Sequence, residues 1–149
     1  MAEEVRIRVA NADDDPERLF DLLWALAPED DRPEPGRLRS VWRAVVAQEG
    51  RRVFLAEAGA HLVGSIDTIV VPNLTRGAQP FMLVENMVVE SAARRRGVGS
   101  ALLDTAFSWA RECGCYKVQL LSNAKREEAH SFYEGHGFAQ SARGYRRYL

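Results

Sequence analysis

Three arginines and two glycines, Arg94-Arg95-Arg96-Gly97-Val98-Gly99-Ser100, stand between an apolar run and a helix-like segment, and form the stretch best suited to chemistry. The first N–H groups of a helix have no internal acceptor and carry partial positive charge, so a helix start of this kind can hold a pyrophosphate. Glycine lets a phosphate approach the backbone closely. The segment lacks the Gly-Lys-Ser/Thr ending of a Walker loop and the three spaced glycines of a dinucleotide fingerprint, which disfavours ATP and NAD. On its own it reads equally as a solvated, charged turn, the ordinary fate of a run of arginines.

Glu85 is the second candidate, an acid inside the otherwise apolar run Phe81–Val89. A carboxylate is costly to bury without a partner, which makes Glu85 a candidate base or water relay; the competing reading is a solvent-facing or salt-bridged glutamate. It lies two residues before Met87, so strand alternation puts both side chains on one nominal face unless a bulge intervenes. Asn86 is a weaker candidate for substrate contact. His61, His130, His136, Cys113 and Cys115 fall in no zinc pattern, and no metal site is predicted. Trp24, Trp42 and Trp109 lie on predicted helices and read as core or interface residues.

The surrounding elements must position these groups. Val5–Val9 alternates as a half-buried strand, and Asp15-Pro16-Glu17 supplies a helix start for Leu19, Leu22, Leu23 and Leu26. A second helix follows the stretch from Pro28 to Pro35, with Leu38, Val41, Trp42, Val45 and Val46 on one face and Gly50 after it. Residues 53–57 and 61–71 read as an antiparallel hairpin turning at Ala58-Gly59-Ala60, and a polar loop from Pro72 to Pro80 precedes the strand 81–89. From Val98 the positions Ala101, Leu102, Thr105 and Trp109 mark a helix; residues 116–121 then read as a strand, so a parallel crossover is predicted. A last helix carries Ala129, Phe132, Tyr133 and His136 and closes at Gly137, and residues 138–149 are expected to supply a final strand or hairpin.

The 149 residues, 46% of them hydrophobic, suit one α/β domain spanning 1–149. A formal net charge of -1 gives no bulk reason to expect nucleic acid or an anionic membrane, so a small soluble partner is expected. Neither a secretory leader nor an apolar span is recognisable, which predicts a cytoplasmic protein with reduced thiols.

Arg94-x-x-Gly97-x-Gly99 directly after Met87-Val88-Val89 resembles motif A of the GNAT acetyltransferases, and Ala129-His130-Ser131-Phe132-Tyr133-Glu134-x-x-Gly137-Phe138 resembles their motif B. The resemblance implies an α/β (α+β) fold with a mixed, mostly antiparallel sheet flanked by helices, and a splayed parallel strand pair that admits the pantetheine arm of acetyl-CoA. It implies a pyrophosphate cradle at Arg94, Arg95, Arg96, Gly97, Val98, Gly99 and Ser100, acting mainly through backbone N–H groups. Met87, Val88 and Val89 would line the pantetheine and thioester, with an oxyanion-binding N–H around Val88. Tyr133 corresponds to the family tyrosine near the CoA sulfur, a proton donor to the leaving thiolate; a core tyrosine is the alternative. Glu85 would then face the acceptor amine as base. Where many members carry an asparagine seven residues before that tyrosine, this chain has Arg126, with Asn123 nearby but out of register; Arg126, Asn123 and Phe132 are the remaining candidate cofactor contacts. Lys125-Arg126-x-x-Ala129-His130-x-Phe132-Tyr133 is similar to the aminoalkylphosphonate acetyltransferase subgroup.

The activity implied is direct transfer of acetyl from acetyl-CoA to a primary amine of a small molecule, with a homodimer by family analogy. Alternatives are a lysine or N-terminal protein acetyltransferase and a non-catalytic acyl-CoA sensor. A nucleic-acid module resting on Arg94–Arg96 fits the overall charge poorly.

Overall fold

The computed structural model describes residues 3–29 and 31–149; residues 1 and 2 of the leader reading, and residue 30 of the stretch before the second helix, lie outside the described residues. Five strands, β1 (Val5–Val9), β2 (Arg51–Ala58), β3 (His61–Val71), β4 (Phe81–Val89) and β5 (Val118–Leu120), form one sheet in that order. Pairing is antiparallel from β1 to β4 and parallel between β4 and β5. The β2–β3 hairpin closes at Ala58↔His61, where Gly59 takes φ 57°, a left-handed conformation that costs glycine little.

Strand alternation splits the apolar residues between two faces, and each face is covered by a helix pair. Phe54, Ala56, Ile66, Met82 and Val84 pack with α3 (Val98–Glu112) and with Tyr133 of α4 (Glu127–Gly135). Val53 and Leu55 instead meet Leu19 of α1 (Pro16–Leu23) and Trp42 of α2 (Pro35–Ala47). Full burial of each such side chain is worth about 1.5–3 kcal/mol, which makes this alternation the main determinant of register. Asp15 caps α1 by accepting from the Glu17 N–H, and Pro16 opens it, as the sequence predicts.

Three expectations are corrected. The first helix ends at Leu23 and continues only as a 3-10 turn, Trp24–Leu26. The predicted strand 116–121 shrinks to Val118–Leu120. Residues 138–149 form no strand: their one internal main-chain hydrogen bond runs from Ser141 N–H to the Ala139 carbonyl, and Tyr145, Tyr148 and Leu149 are exposed. Past Phe138 the segment is polar and arginine-rich, with no alternating apolar face to anchor it to the short edge strand.

Two departures from regularity shape β4. Ser65 pairs with Val88 and Asp67 with Glu85, so Ile66 alone stands opposite Asn86 and Met87. This is a β-bulge, and Asn86 takes φ 47°, a left-handed conformation that asparagine tolerates better than most residues. On the other edge, pairing to β5 stops at Val84↔Leu120, leaving Glu85–Val89 without a neighbouring strand.

Candidate active site

The two departures act together. Glu90 N–H donates to the Val63 carbonyl at 2.8 Å, so two-residue alternation turns the Val88 main chain toward β3. The N–H groups of Met87 and Val89 therefore point to the unpaired edge, into the gap that opens beside β5. The donor expected around Val88 therefore falls to its neighbours: the Val88 N–H belongs to the sheet, and those of Met87 and Val89 face the gap. The same phase shift separates Glu85 from Met87. Glu85 shares a face with Asp67 and Ser65, toward α1 and α2, whereas Met87 faces α4; the shared face expected from simple alternation is not found. Glu85 is also exposed rather than buried, so the cost of burial no longer argues for its role.

Beyond Val89 the chain turns into α3. Arg94 Nε donates to the Val89 carbonyl at 3.2 Å, Arg95 takes φ 60°, and Gly97 caps the helix at φ 81° without a side-chain cap. Among the described residues, the main-chain N–H groups from Arg95 to Ser100 donate to no main-chain or side-chain acceptor. The arginine side chains are exposed. The turn thus presents a fan of unpaired amides at a helix N-terminus, continuous with the open edge of β4.

Helix α4 closes the gap from the other side. Tyr133 is 9% exposed, and its hydroxyl lies 3.8 Å from Met87 Sδ. Burial pushes its phenol above the usual value of 10.0, with Arg126 pulling the other way, so it is protonated at neutral pH. Phe132 lies against Gly99: a Cβ there would come within 3.0 Å of the Phe132 ring. His136 Nδ1 donates to the Phe132 carbonyl at 2.7 Å, which leaves Nε2 to accept from the Ser100 hydroxyl at 2.9 Å. That bond ties α4 to the first turn of α3 and leaves the Ser100 amide for a ligand. Asn123 is used locally, its Oδ1 accepting from Lys125 N–H and its carbonyl from Arg126 N–H and His130. Arg126 is exposed at the start of α4.

On the opposite face, α1, α2 and the sheet line an open-sided cavity of about 130 Å³ that includes Leu19, Phe20, Val45, Asp67 and Asn86 in its lining. At its sheet end Arg51 holds buried Asp67 through bonds of 3.0 and 2.5 Å. The cavity and the open edge of β4 meet at the bulge. Among the described residues no cluster of histidine, cysteine or acidic side chains could hold a metal ion, and no helix is long and apolar enough to cross a membrane.

A sequence model of the acetyltransferase (GNAT) family matches residues 17–138. The chain belongs to the GNAT acetyltransferases. A glucosamine 6-phosphate N-acetyltransferase of Trypanosoma brucei brucei is 36% identical over 87 residues, 58% of this chain and 57% of that protein. The chain thus spans little more than half the length of this curated relative. Among solved structures, one described as an acetyltransferase of Agrobacterium tumefaciens superimposes with a TM-score of 0.90 at 34% identity, covering 97% of this chain and 99% of that one. One described as a transcriptional regulator of Bacillus halodurans gives 0.91 at 28% identity, covering 98% and 100%.

Within this GNAT frame, Met87, Val89, the 94–100 turn, Phe132 and Tyr133 gather around one gap, while Glu85 and Asn86 open onto the other face and Asn123 and Arg126 sit at the rim of α4. Sequence reasoning missed His136 as the partner of Ser100, Arg51–Asp67 as the floor of the cavity, and Ser122. The Ser122 hydroxyl, two residues past the end of β4–β5 pairing, is the one buried side-chain polar atom without a partner among the described residues.

Proposed function

We propose that this GNAT protein is an acetyl-CoA-dependent N-acetyltransferase that moves an acetyl group directly to a primary amine of a small molecule. The observation that carries the reading is the continuity of unpaired main-chain N–H groups from Met87 and Val89 through Arg95–Ser100, beside a protonated Tyr133. An acyl-CoA fits what is present: an anion-binding helix start, an open strand edge able to pair with amide groups, and a buried orphan hydroxyl at Ser122.

When bound, acetyl-CoA supplies the activated acetyl group. The Arg95–Ser100 amides hold the pyrophosphate, and the exposed arginines add long-range attraction. The Met87 N–H donates to the thioester carbonyl oxygen as negative charge builds there; removal of such a donor costs about 3 kcal/mol where it has been measured. The amine nitrogen bonds to the acetyl carbon as the carbon–sulfur bond breaks. Glu85, directly or through water, takes the amine proton from the α1/α2 face, and Tyr133 returns a proton to the departing thiolate.

The test is calorimetric titration with acetyl-CoA followed by thiol release across an amine panel. Saturable binding with amine-dependent thiol release is the expected result. Absence of acetyl-CoA binding, or binding with no transfer to any amine, refutes the reading.

A further inference from the structure

The cavity between α1, α2 and the sheet defines what the acceptor carries besides its amine. Its walls come from aliphatic and aromatic side chains, Leu19, Phe20, Leu23, Leu38, Val45 and Val53 among them. Its volume, about 130 Å³, approaches that of an engineered apolar cavity of about 150 Å³ that binds benzene.

The charges at its sheet end are few. Among the described residues Arg51 is the only cation in the lining, and Asp67 engages it through both Nε and Nη2. Glu85 stands in register with Asp67 on the same face and acts electrostatically on Arg51. One cation with two carboxylates leaves one negative charge uncompensated, the complement of a single ammonium. Arg32 lies over the Phe20 ring at 5.0 Å and is held by Glu17 and Asp21. Among the described residues no free guanidinium or ammonium lines the cavity, so a phosphate or phosphonate entering it would lose hydration without gaining a counter-charge.

We infer that the acceptor is a monoamine on an apolar body, about the size of a phenyl ring or a short branched alkyl chain, and that phosphate-bearing amines and polycationic sugars are poor substrates. This rests on the amine acetyltransferase reading above. It departs from the phosphate-bearing acceptor in the name of the trypanosomal relative, and from the phosphonate subgroup that the α4 motif resembles. Asn86 lines the cavity and Glu85 stands in register with Asp67 beside it, so an amine whose body lies among Leu19, Phe20 and Val45 arrives beside the bulge and the Met87 N–H.

The experiment compares 2-phenylethylamine and isopentylamine with 2-aminoethylphosphonate, glucosamine 6-phosphate and an aminoglycoside, by kcat/KM from thiol release. Burial of a phenyl-sized group predicts about 10- to 100-fold preference for the apolar amines. Val45→Trp, which fills the cavity, should raise KM for 2-phenylethylamine about tenfold with acetyl-CoA affinity unchanged. Should Val45→Trp fail to fold, Leu23→Ala enlarges the same cavity and should shift preference to bulkier amines. A phosphate-bearing amine or aminoglycoside as the best substrate overturns the inference and leaves the proposed activity standing. If acetyl-CoA binds and no amine is acetylated, the activity falls, and saturation-transfer NMR of 2-phenylethylamine with CoA-loaded protein judges the cavity separately. Binding that Val45→Trp abolishes supports the cavity's selectivity, and absence of binding overturns it.

Discussion

Replacing Tyr133 by phenylalanine removes one oxygen and keeps the ring, whose edge-on contacts with Phe132 at 5.5 Å and Phe138 at 5.7 Å hold it in place. The hydroxyl has one recorded partner, Met87 Sδ at 3.8 Å, a weak acceptor. An ordinary hydrogen bond contributes about 0.5–1.5 kcal/mol, so this one sits at or below the low end, and dehydrating the buried oxygen offsets part of it. At about 2–4 °C per kcal/mol for a chain of this size, Tyr133→Phe should shift Tm by about 2 °C or less. General acid catalysis contributes about 100- to 10,000-fold, so kcat should fall by about 100-fold or more while acetyl-CoA affinity holds. Thermal unfolding, calorimetric titration and thiol release on one preparation separate the two effects. Turnover within about threefold of the parent, on the rate scale just given, would reduce Tyr133 to a packing residue. The pH dependence provides a second check. Because the folded phenol titrates above 10.0, its protonated form contributes stability that is present below that value and lost as pH rises through the folded one. Any alkaline fall in rate owed to Tyr133 therefore lies above pH 10, and the phenylalanine variant should lose less stability there.

Glu85→Gln should depress acetylation most at low pH, where more of the amine is protonated; an unaltered pH–rate profile would remove its assigned role. Gly99→Ala sets a helix-propensity gain of at most about 1 kcal/mol against overpacking of Phe132 by about 1–3 kcal/mol. Phe132 is hemmed in by His136 at 4.4 Å, so lower Tm and weaker acetyl-CoA binding are expected, by thermal melt and calorimetry. Arg8 binds both Asp14 and Glu57 and holds their carboxyls below the usual 3.8 and 4.5. Their contribution is present above those values and lost as pH falls through the lowered folded ones. Arg8→Met should therefore lower Tm at neutral pH and flatten the acid limb below pH 4.5 in a melt series.

The 94–100 turn was legible because its signal is local: a helix start leaves its first amides without intrahelical acceptors whatever surrounds them. The helix faces and the hairpin were legible for the same reason, since their periodicities are set by the chain itself. The face of Glu85 was not. Whether Ile66 stands opposite one residue or two depends on register between strands twenty residues apart, and asparagine at 86 permits a left-handed turn without demanding one. Arg51–Asp67 stayed hidden for a related reason, because Arg51 fell outside the predicted strand and its partner is fixed only by pairing. The role proposed for Tyr133 came from motif context, since a tyrosine on an amphipathic helix looks alike in sequence whether it reacts or packs. The 138–149 segment misled because an open sheet edge invites a strand that its own composition does not supply.

The bulge at Asn86 is a dislocation in an otherwise regular lattice, and it divides β4 into two blocks of opposite parity. Substitutions within either block act one side chain at a time, whereas removing a single residue at 86 would heal the dislocation and leave Met87, Val88 and Val89 opposite Ile66, Ser65 and Gly64, on the faces they already hold. What such a deletion removes is the left-handed turn at Asn86 and the local bend it gives the strand. Tolerance to deletion along this chain should therefore be high in the loop at 72–80 and, within β4, highest at the bulge itself.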